Sequence, residues 1–342
     1  MSSNEAVFIS WTTFHGRSEG LARTLGINCI FLEGGRGPAL IRYLRLWKKT
    51  QAVLRQHKPF AIFVMQPPPI AILSILPYSI RTGARIYGDL HTGVFDDPKW
   101  IWLRAPTLYA LRRRGAAIVT NESLAEIIRE RGGHALVLHD LIEKRSDEGR
   151  KSVNVHAQIK TPQDSQEPYV LVPLAYAHDE PLAAILHAAK QTPNFTWKLT
   201  GTAPEWMQKS APRNVVFPGY VSNSEFSRLI HQSAVMVAMT VMENTMQRAG
   251  YEALSFGKAL VTAPTKVLEE YFGDAALYAA PEATELADQV RMAISKRTEL
   301  ETRMIALRDM KIQEQSHALA QLMLWSKASV TESLTFTEST RR

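Results

Sequence analysis

The sequence has only one cysteine, and its longest apolar stretch is interrupted by prolines. Cys29 is the only cysteine among 342 residues, so the chain cannot form an internal disulfide, which is typical of a reducing compartment. A signal peptide needs a basic region and an apolar run, and the first ten residues have neither. The most apolar stretch, residues 59–80, contains Pro67, Pro68 and Pro69, which favours a buried strand and a following helix over a membrane span. We therefore expect a cytoplasmic protein.

Acidic residues are scarce in the N-terminal half. Residues 1–142 contain 18 Lys and Arg against 10 Asp and Glu, a net charge of +8, whereas the remainder has 22 against 23, a net charge of −1. This asymmetry indicates an acidic partner for the first half (anionic lipid, nucleic acid or a phosphorylated substrate) or only a basic solvated surface.

Several motifs that bind cofactors or metals are missing. No GxGxxG turn follows the first predicted strand, which argues against a dehydrogenase, and no Walker loop with its lysine occurs. One cysteine and scattered histidines give no usual zinc spacing, so we expect no metal and no cofactor. The basic residues lack an aromatic-rich strand platform or a recognised module, so we also expect no nucleic acid as a partner.

Short apolar strands alternate with helices on both sides of a polar, aperiodic segment. Parallel sheets covered by helices on both faces produce this alternation. It predicts an α/β protein of two facing Rossmann-like domains with parallel sheets and a cleft between them. The predicted parts are an N-terminal acceptor-side domain (1–142), a linker (143–168), a C-terminal domain (169–313), and a C-terminal helix with a tail (314–342).

One predicted helix, residues 39–57, is basic and amphipathic. Its apolar side consists of Leu40, Leu44, Trp47 and Leu54, and its basic side of Arg42, Arg45 and Lys49. We expect the apolar side to pack on the sheet of its own domain, while the basic side can face the headgroups of an anionic membrane.

The most informative stretch is residues 214–278. A VxFxGYV segment precedes an EFxxLI helix, and a strand then leads to a loop with a glutamate and to EALSFGKALV. This order resembles the C-terminal domain of GT-B glycosyltransferases, in particular the family-four (group 1) enzymes of bacteria. The segments GDLHTGVF and PLAYAHDEPL are similar to a bacterial branch of the same enzymes, so the resemblance covers most of the chain outside the linker and tail.

The resemblance implies that the C-terminal domain binds a nucleotide-sugar donor. In the family, one glutamate contacts the sugar and diphosphate and a second contacts the ribose. The matching residues are Glu243 and Glu252, with eight residues between them where the family usually has seven. The chemistry agrees, because a carboxylate can accept two hydrogen bonds from a diol, although Glu252 could also be an ordinary helix-surface residue. The other predicted donor-binding residues are Arg248, Asn244, Thr245, Gln247, Thr200, Gly201, Gly219, Tyr220 and Val221.

One feature of the family is absent. These enzymes often have an Arg and a Lys after the first strand of the C-terminal domain to hold the diphosphate, and LVPLAYAHDEPL has neither. Arg248 and the amides that open a predicted helix, Thr245–Phe256, would take over this role, or the donor differs from a common nucleoside diphosphate sugar.

Two further groups of residues are predicted on the acceptor side. Asp89 and His91 follow a strand at its carboxyl end, where His91 can act as a general base with Asp89 as its orienter, or Asp89 itself can be the base. A structural histidine is the alternative. His15, Gly16 and Arg17 lie in the first strand-to-helix loop, which in similar enzymes touches acceptor or phosphate and otherwise is a simple turn.

Together these residues predict a metal-independent glycosyltransferase of the hexosyltransferase type. We expect it to act in polysaccharide biosynthesis, on a lipid-linked or polysaccharide acceptor, as a peripheral protein on the inner face of the plasma membrane. Two alternatives remain open at this point. A nucleotide-sugar epimerase of the same fold would act without a second acceptor, and a non-catalytic binding or scaffold protein would bind the nucleotide sugar weakly or not at all.

Overall fold

The computed structural model describes residues 6–142 and 168–327. The chain divides into two compact units: an N-terminal unit, Met1–Leu141 with Glu314–Arg342, and a C-terminal unit, Ile142–Gln313. The predicted linker, apart from Pro168, and the tail beyond residue 327 lie outside the described residues.

The N-terminal unit contains a six-stranded parallel sheet of order β2-β1-β3-β4-β5-β6. The strands are β1 (Val7–Ser10), β2 (Asn28–Phe31), β3 (Ala61–Gln66), β4 (Arg85–Leu90), β5 (Gly115–Val119) and β6 (Ala135–Val137). The helices are α1 (Gly16–Leu25), α2 (Ala39–His57), α3 (Ile70–Thr82), α4 (Gly93–Asp96), α5 (Ile101–Arg114) and α6 (Glu122–Arg129). Apolar side chains form a separate core on each face of this sheet, which is why its central strands read as continuous apolar runs.

The C-terminal unit contains a second six-stranded parallel sheet, of order β12-β11-β10-β7-β8-β9. The strands are β7 (Tyr169–Pro173), β8 (Thr196–Thr200), β9 (Val215–Gly219), β10 (Val235–Ala238), β11 (Leu260–Thr262) and β12 (Leu277–Tyr278). The helices are α7 (Leu182–Gln191), α8 (Glu205–Ser210), α9 (Asn223–Gln232), α10 (Arg248–Phe256), α11 (Lys266–Phe272), α12 (Ala283–Ser295) and α13 (Arg297–Lys327). The predicted class, α/β with two parallel sheets, is confirmed.

Local capping signals decide where several helices begin. Asn121 Oδ1 accepts a hydrogen bond from the Leu124 amide (3.0 Å) at the start of α6. Ser222 Oγ accepts one from the Glu225 amide (3.3 Å) at the start of α9. Asn and Ser are residue types that favour this position, since a short polar side chain satisfies an amide that has no partner within the helix.

The bounds of α2 agree with the prediction, but the expected packing of its apolar side is only partly correct. The residues that α2 buries are Leu46, Thr50 and Leu54, spaced by four residues along one line of the helix. Around the helix axis, Leu40 lies about 80° and Leu44 about 120° from Thr50, the middle of this line, and the two leucines are 71% and 54% exposed.

Among the helices that the structure describes, none is both long enough and apolar enough to cross a bilayer. The apolar stretch of residues 59–80 contains β3 and most of α3, which begins directly after the three prolines. Proline fits there because the first turn of a helix leaves its amides unbonded in any case.

Candidate active site

The strand order of the C-terminal unit contains a switch point beside β7. From β7 the chain proceeds outward through β8 and β9 on one side, and β10 to β12 extend the sheet on the other side. Ligands of open parallel sheets bind at such a point, at the carboxyl ends of the strands. The loops that follow β7 and β10, residues 174–181 and 239–247, are therefore the expected ligand-binding loops of this unit.

Hydrogen bonds join these two loops. Thr240 Oγ1 donates to Asp179 Oδ2 (2.9 Å), and the Val241 amide donates to the Asp179 carbonyl (2.8 Å). Within the first loop, Glu180 accepts hydrogen bonds from the amides of Ala175 (3.1 Å) and Ala177 (2.8 Å). Burial raises the pKa of Glu180, although these two amide donors act in the opposite direction. Asp179 and Glu180 thus hold the loop after β7 in one shape.

Gly201 and Gly219 bring the ends of β8 and β9 to the same edge. The Gly201 amide donates to the Gly219 carbonyl (3.0 Å), and Gly201 has a φ of +92°. A Cβ at Gly201 would lie 2.2 Å from the carbonyl oxygen of Leu174, in the loop after β7. Only glycine permits this close approach. Of the other predicted residues here, Thr200 is buried, Val221 is half-buried and Tyr220 is exposed.

Arg248 and Glu252 lie on one side of the first turns of α10. Arg248 Nε lies 3.4 Å from Glu252 Oε1, and the Arg248 side chain is 78% exposed. The predicted helix start was Thr245, but the helix begins at Arg248. Gln247 has an extended backbone, and its Nε2 donates a hydrogen bond to the Met239 carbonyl. Gln247 provides no side-chain cap to this helix. The first amides of α10 and the Arg248 guanidinium therefore offer hydrogen-bond donors in one place.

Glu243 contacts the beginning of a different helix. Its Oε1 accepts a hydrogen bond from the Lys266 amide (2.6 Å), the first residue of α11. Glu243 is exposed and precedes the half-buried Asn244 and Thr245 in the same loop. The structure thus places the predicted donor-binding residues at strand ends, in the loops that follow them or in the first turns of α10, and their roles toward a donor stay predictions.

The N-terminal unit has a second cluster, centred on Asp89 at the end of β4. Arg17 donates to both Asp89 oxygens, from Nε (3.1 and 3.2 Å) and Nη2 (3.0 Å), and also to Asp140 Oδ1 (3.1 Å) and the Leu138 carbonyl (2.8 Å). The side chains of Arg17 and Asp89 are almost entirely buried. Burial alone would raise the pKa of Asp89, but the charge and hydrogen bonds of Arg17, with a further contribution from the neighbouring His91, outweigh it and hold this pKa well below its ordinary value.

His91 and His15 lie beside this ion pair. His91 Nε2 lies 3.4 Å from Asp89 Oδ2, and the rings of His15 and His91 meet edge to face with centroids 5.3 Å apart. His15 Nδ1 accepts a hydrogen bond from the Ser18 amide (3.3 Å), which requires an unprotonated Nδ1. Burial, reinforced by His91, lowers the pKa of His15, so its ring stays neutral at pH 7.

The loop before α1 ends earlier than the sequence indicated. Because His15 caps the helix, α1 begins at Gly16, and Arg17 lies in its first turn instead of in the loop. The guanidinium of Arg17 is directed to Asp89 and Asp140 inside the unit, so its expected contact with acceptor or phosphate has no support from this geometry. Contacts of His15 and Gly16 with a ligand stay predictions.

Sequence reasoning missed four residues of these clusters. Asp179 and Glu180 accept hydrogen bonds that shape the loop after β7, and Asp140 accepts one from Arg17. The fourth is Lys266, whose amide donates to Glu243. The first three follow β7 or β6 within a few residues. The rule that ligands bind at the carboxyl ends of parallel strands could have singled them out. The contact of Lys266 joins residues 23 positions apart and left no signal in the sequence.

Comparison with known proteins gives one family match, to the second half of the chain. Residues 180–323 match the family described as glycosyl transferase-like, and this segment includes Glu243, Arg248 and Glu252. No curated protein is significantly similar to the chain in sequence.

Several solved structures share the fold. HepE of Anabaena, solved with UDP, has a TM-score of 0.67 and 14% identity, with 97% of this chain and 100% of that chain covered. Sucrose-phosphate synthase of Thermosynechococcus elongatus has a TM-score of 0.71 and 12% identity, with 98% and 100% covered. UDP-GlcNAc 2-epimerase of Neisseria meningitidis, bound to UDP-GlcNAc, has a TM-score of 0.61 and 12% identity, with 93% and 99% covered. At these identities the likeness establishes the fold, which is GT-B, and the resemblance to GT-B glycosyltransferases is confirmed.

Proposed function

We propose that the chain is a glycosyltransferase that moves a sugar from a nucleotide-sugar donor to a lipid-linked or polysaccharide acceptor at the cytoplasmic membrane face. One observation carries the proposal: Arg248 and Glu252 open a helix near the switch point of a GT-B unit, inside the segment that matches the glycosyl transferase-like family. Hexosyl transfer without a bound metal, polysaccharide biosynthesis and peripheral membrane association are parts of the same proposal.

The donor would bind at the start of α10. Glu252 is partly exposed and can accept two hydrogen bonds from the ribose diol once Arg248 turns to the diphosphate. Arg248 is free to make this turn because most of its side chain is in solvent and its contact with Glu252 is long. The first amides of α10 and the helix dipole also favour the negative charge of the diphosphate. This arrangement supplies the positive charge that the missing Arg and Lys provide in similar enzymes.

Glu243 would hold the sugar side of the donor. Its bond to the Lys266 amide fixes one carboxylate oxygen, so the other oxygen is available for a sugar hydroxyl. The backbone at Gly201 and Gly219, where β8 and β9 end at the same edge, would flank the base. HepE was solved with UDP, so UDP-sugars are the first donors to test.

On the acceptor side, His91 would be the general base and Asp89 its orienter. Asp89 stays ionised, because its pKa is held low, and a carboxylate with a low pKa is a weak base. With Nε2 of His91 turned to Asp89, Nδ1 is the nitrogen left to take a proton from an acceptor hydroxyl. Arg17 fixes Asp89 and thereby acts as a positioning residue.

The epimerase alternative is favoured by one specific observation, the shared fold with a UDP-GlcNAc 2-epimerase. An epimerase converts the nucleotide sugar without an acceptor and exchanges a sugar proton with solvent. A transferase leaves that proton in place. Incubation of the protein with UDP-GlcNAc in D₂O separates the two, because deuterium in the recovered sugar identifies an epimerase.

Donor binding is tested by a thermal-shift screen against UDP, GDP, ADP and their sugars. We expect one nucleotide series to raise the melting temperature of the wild type by mass action. Glu252→Ala should weaken binding of that nucleotide about tenfold or more, because a charged hydrogen bond to the diol contributes roughly 1.5–3 kcal/mol.

Glu299→Ala is the matched control. Glu299 pairs with Arg303 at the same spacing of four residues on α13, and Arg303 also donates to the Asp274 carbonyl, which precedes β12. Equal losses in both variants would contradict the assignment of Glu252. A complete lack of response to any nucleotide would favour the non-catalytic alternative.

A further inference from the structure

The outward surface of the first half of α2 is both apolar and basic. Leu40, Ile41 and Leu44 are 71%, 44% and 54% exposed, and the exposed residues Arg42, Arg45 and Lys48 lie between and beside them. We call these six residues the α2 outer face. Three large aliphatic side chains within five consecutive residues seldom stay in water without a reason, because each loses hydrophobic stabilisation there.

The inner side of this helix is fixed by other contacts. Tyr43 stacks on Trp11 with ring centroids 6.4 Å apart and meets Trp100 edge to face at 5.9 Å. Leu46, Thr50 and Leu54 are buried below it. Rotation of α2 to bury Leu40 and Leu44 would break these contacts, so the α2 outer face remains at the surface of the N-terminal unit.

The charge around this face has one sign. From Gly34 to Gly88 the sequence contains nine Lys and Arg and no Asp or Glu. In the part of the chain that the structure describes, no carboxylate pairs with Arg42, Arg45 or Lys48, and Arg45 donates instead to the Arg36 carbonyl (2.9 Å). Among the described residues this positive charge is therefore not neutralised by a carboxylate, and it is available to a partner.

We propose that the α2 outer face binds the surface of an anionic membrane, with Leu40, Ile41 and Leu44 inserted among the lipid headgroups. A helix with aliphatic and basic residues on its exposed side has the composition of an interfacial helix. Each basic residue near an anionic surface strengthens binding roughly fivefold. Ile101 and Trp102, which follow Trp100 at the start of α5, are also exposed and extend the apolar surface beside Tyr43.

Other partners fit this face less well. A second copy of the chain would bring two surfaces of equal positive charge together, which is unfavourable. Nucleic acid would engage the basic residues but would leave the three aliphatic side chains in water. The inference deepens the proposed function, since it rests on an acceptor located at a membrane, and it names the residues that reach that membrane.

The test is co-sedimentation of the full chain with vesicles. Wild type should bind vesicles of phosphatidylglycerol and phosphatidylcholine at low salt, and binding should fall steeply at high salt or with phosphatidylcholine alone. Leu40→Gln combined with Leu44→Gln should lower the partition coefficient at least tenfold. Arg42→Gln with Lys48→Gln should lower it by a similar factor.

Two matched controls keep the result specific. Leu324→Gln replaces an equally exposed leucine of α13, and Arg112→Gln with Arg113→Gln removes two exposed charges at the end of α5. Both should bind vesicles as the wild type does. The proposal would be overturned if the α2 variants bound the vesicles as tightly as the wild type, or if the wild type did not bind them. A dimer that the α2 variants dissociate, or an oligonucleotide that binds more tightly than the vesicles, would also overturn it.

The thermal shift with nucleotides is measured on the same samples. The α2 variants should keep the response of the wild type, because they lie outside the donor-binding loops. If the protein gave no nucleotide response but its vesicle binding still depended on Leu40 and Leu44, the proposed function would be refuted. The proposal that the α2 outer face binds membranes would be retained.

Discussion

Arg17 and Asp89 show what a buried charge pair does at the scale of single residues. Each alone would be costly to bury, and together they satisfy one another, with Asp140 and the Leu138 carbonyl taking the remaining guanidinium donors. The pair fixes the end of β4 to α1 and presents His91 at the edge of the sheet. The contacts of this cluster give it a structural role, and the action of His91 on an acceptor belongs to the proposed function.

Asp89→Asn should destabilise the protein by about 3–5 kcal/mol at pH 7, because it leaves Arg17 buried with an incomplete set of partners. The folded-state pKa of Asp89 is lower than its unfolded value of about 3.9, so its stabilisation is full above that pH and is lost as pH falls. The difference between wild type and variant should be smaller by about 1 kcal/mol at pH 3. Urea denaturation at the two pH values measures both quantities.

The control for this substitution is Glu126→Gln, which neutralises an exposed carboxylate on α6. It should change the free energy of unfolding by less than about 0.5 kcal/mol at either pH. A difference between wild type and Asp89→Asn that grows as pH falls would show that the carboxylate is not ionised in the folded protein.

At the scale of elements, the loops after β7, β8 and β10 depend on one another. Gly201 touches the Leu174 carbonyl, Asp179 bonds Thr240 and Val241, and Glu180 closes the loop on itself. A change in one loop should therefore alter the others, and with them the surface offered to a donor.

Gly201→Ala should destabilise the protein by at least about 2 kcal/mol and weaken nucleotide binding. The added Cβ would lie 2.2 Å from the Leu174 carbonyl oxygen, and a φ of +92° is itself unfavourable for alanine. Thermal unfolding and nucleotide titration measure the two effects.

Gly219→Ala isolates the backbone strain from the clash. Gly219 also has a positive φ, +76°, but a Cβ there would meet no atom within 4 Å. We expect a loss of about 1 kcal/mol and little change in nucleotide binding. If the two alanine variants behaved alike, the contact with Leu174 would not be what requires a glycine at position 201.

At the scale of the whole molecule, the N-terminal unit is completed by the end of the chain. The last part of α13 supplies Ala318, Leu322 and Trp325 to the core that covers one face of the first sheet. Trp325 stacks on Tyr87 of β4 with ring centroids 5.0 Å apart. Within residues 6–141, α1 covers part of this face with Leu21, Ala22 and Leu25, and the last part of α13 covers more of it.

Leu322→Ala should lower the free energy of unfolding by about 2–5 kcal/mol, since the side chain is fully buried and its removal leaves a cavity. Hydrogen exchange should show the loss of protection in β4 and α1, and not in the sheet of the C-terminal unit. Leu324→Ala, at a leucine that is 67% exposed, is the control and should have little effect. Uniform loss of protection in both units would contradict the division of the chain.

The sequence by itself determined the alternation of strands and helices, the caps at Asn121 and Ser222, and the resemblance that points to Glu243, Arg248 and Glu252. These features depend on residues close together in the chain, where residue type and spacing are direct evidence. Asp89 and His91 were found in the same way, because both lie at the carboxyl end of one strand.

Only the tertiary structure decided that Arg17 turns inward to Asp89 and Asp140, that Glu243 binds the start of α11, and that α2 leaves Leu40 and Leu44 in solvent. Each of these outcomes depends on which elements pack together. Residues 23 to 123 positions apart meet in these clusters, and no periodicity within one helix or strand records such a meeting. The amphipathic pattern of α2 specifies two faces, but the contacts of Tyr43 with Trp11 and Trp100 fix the rotation that makes one of them the outer face.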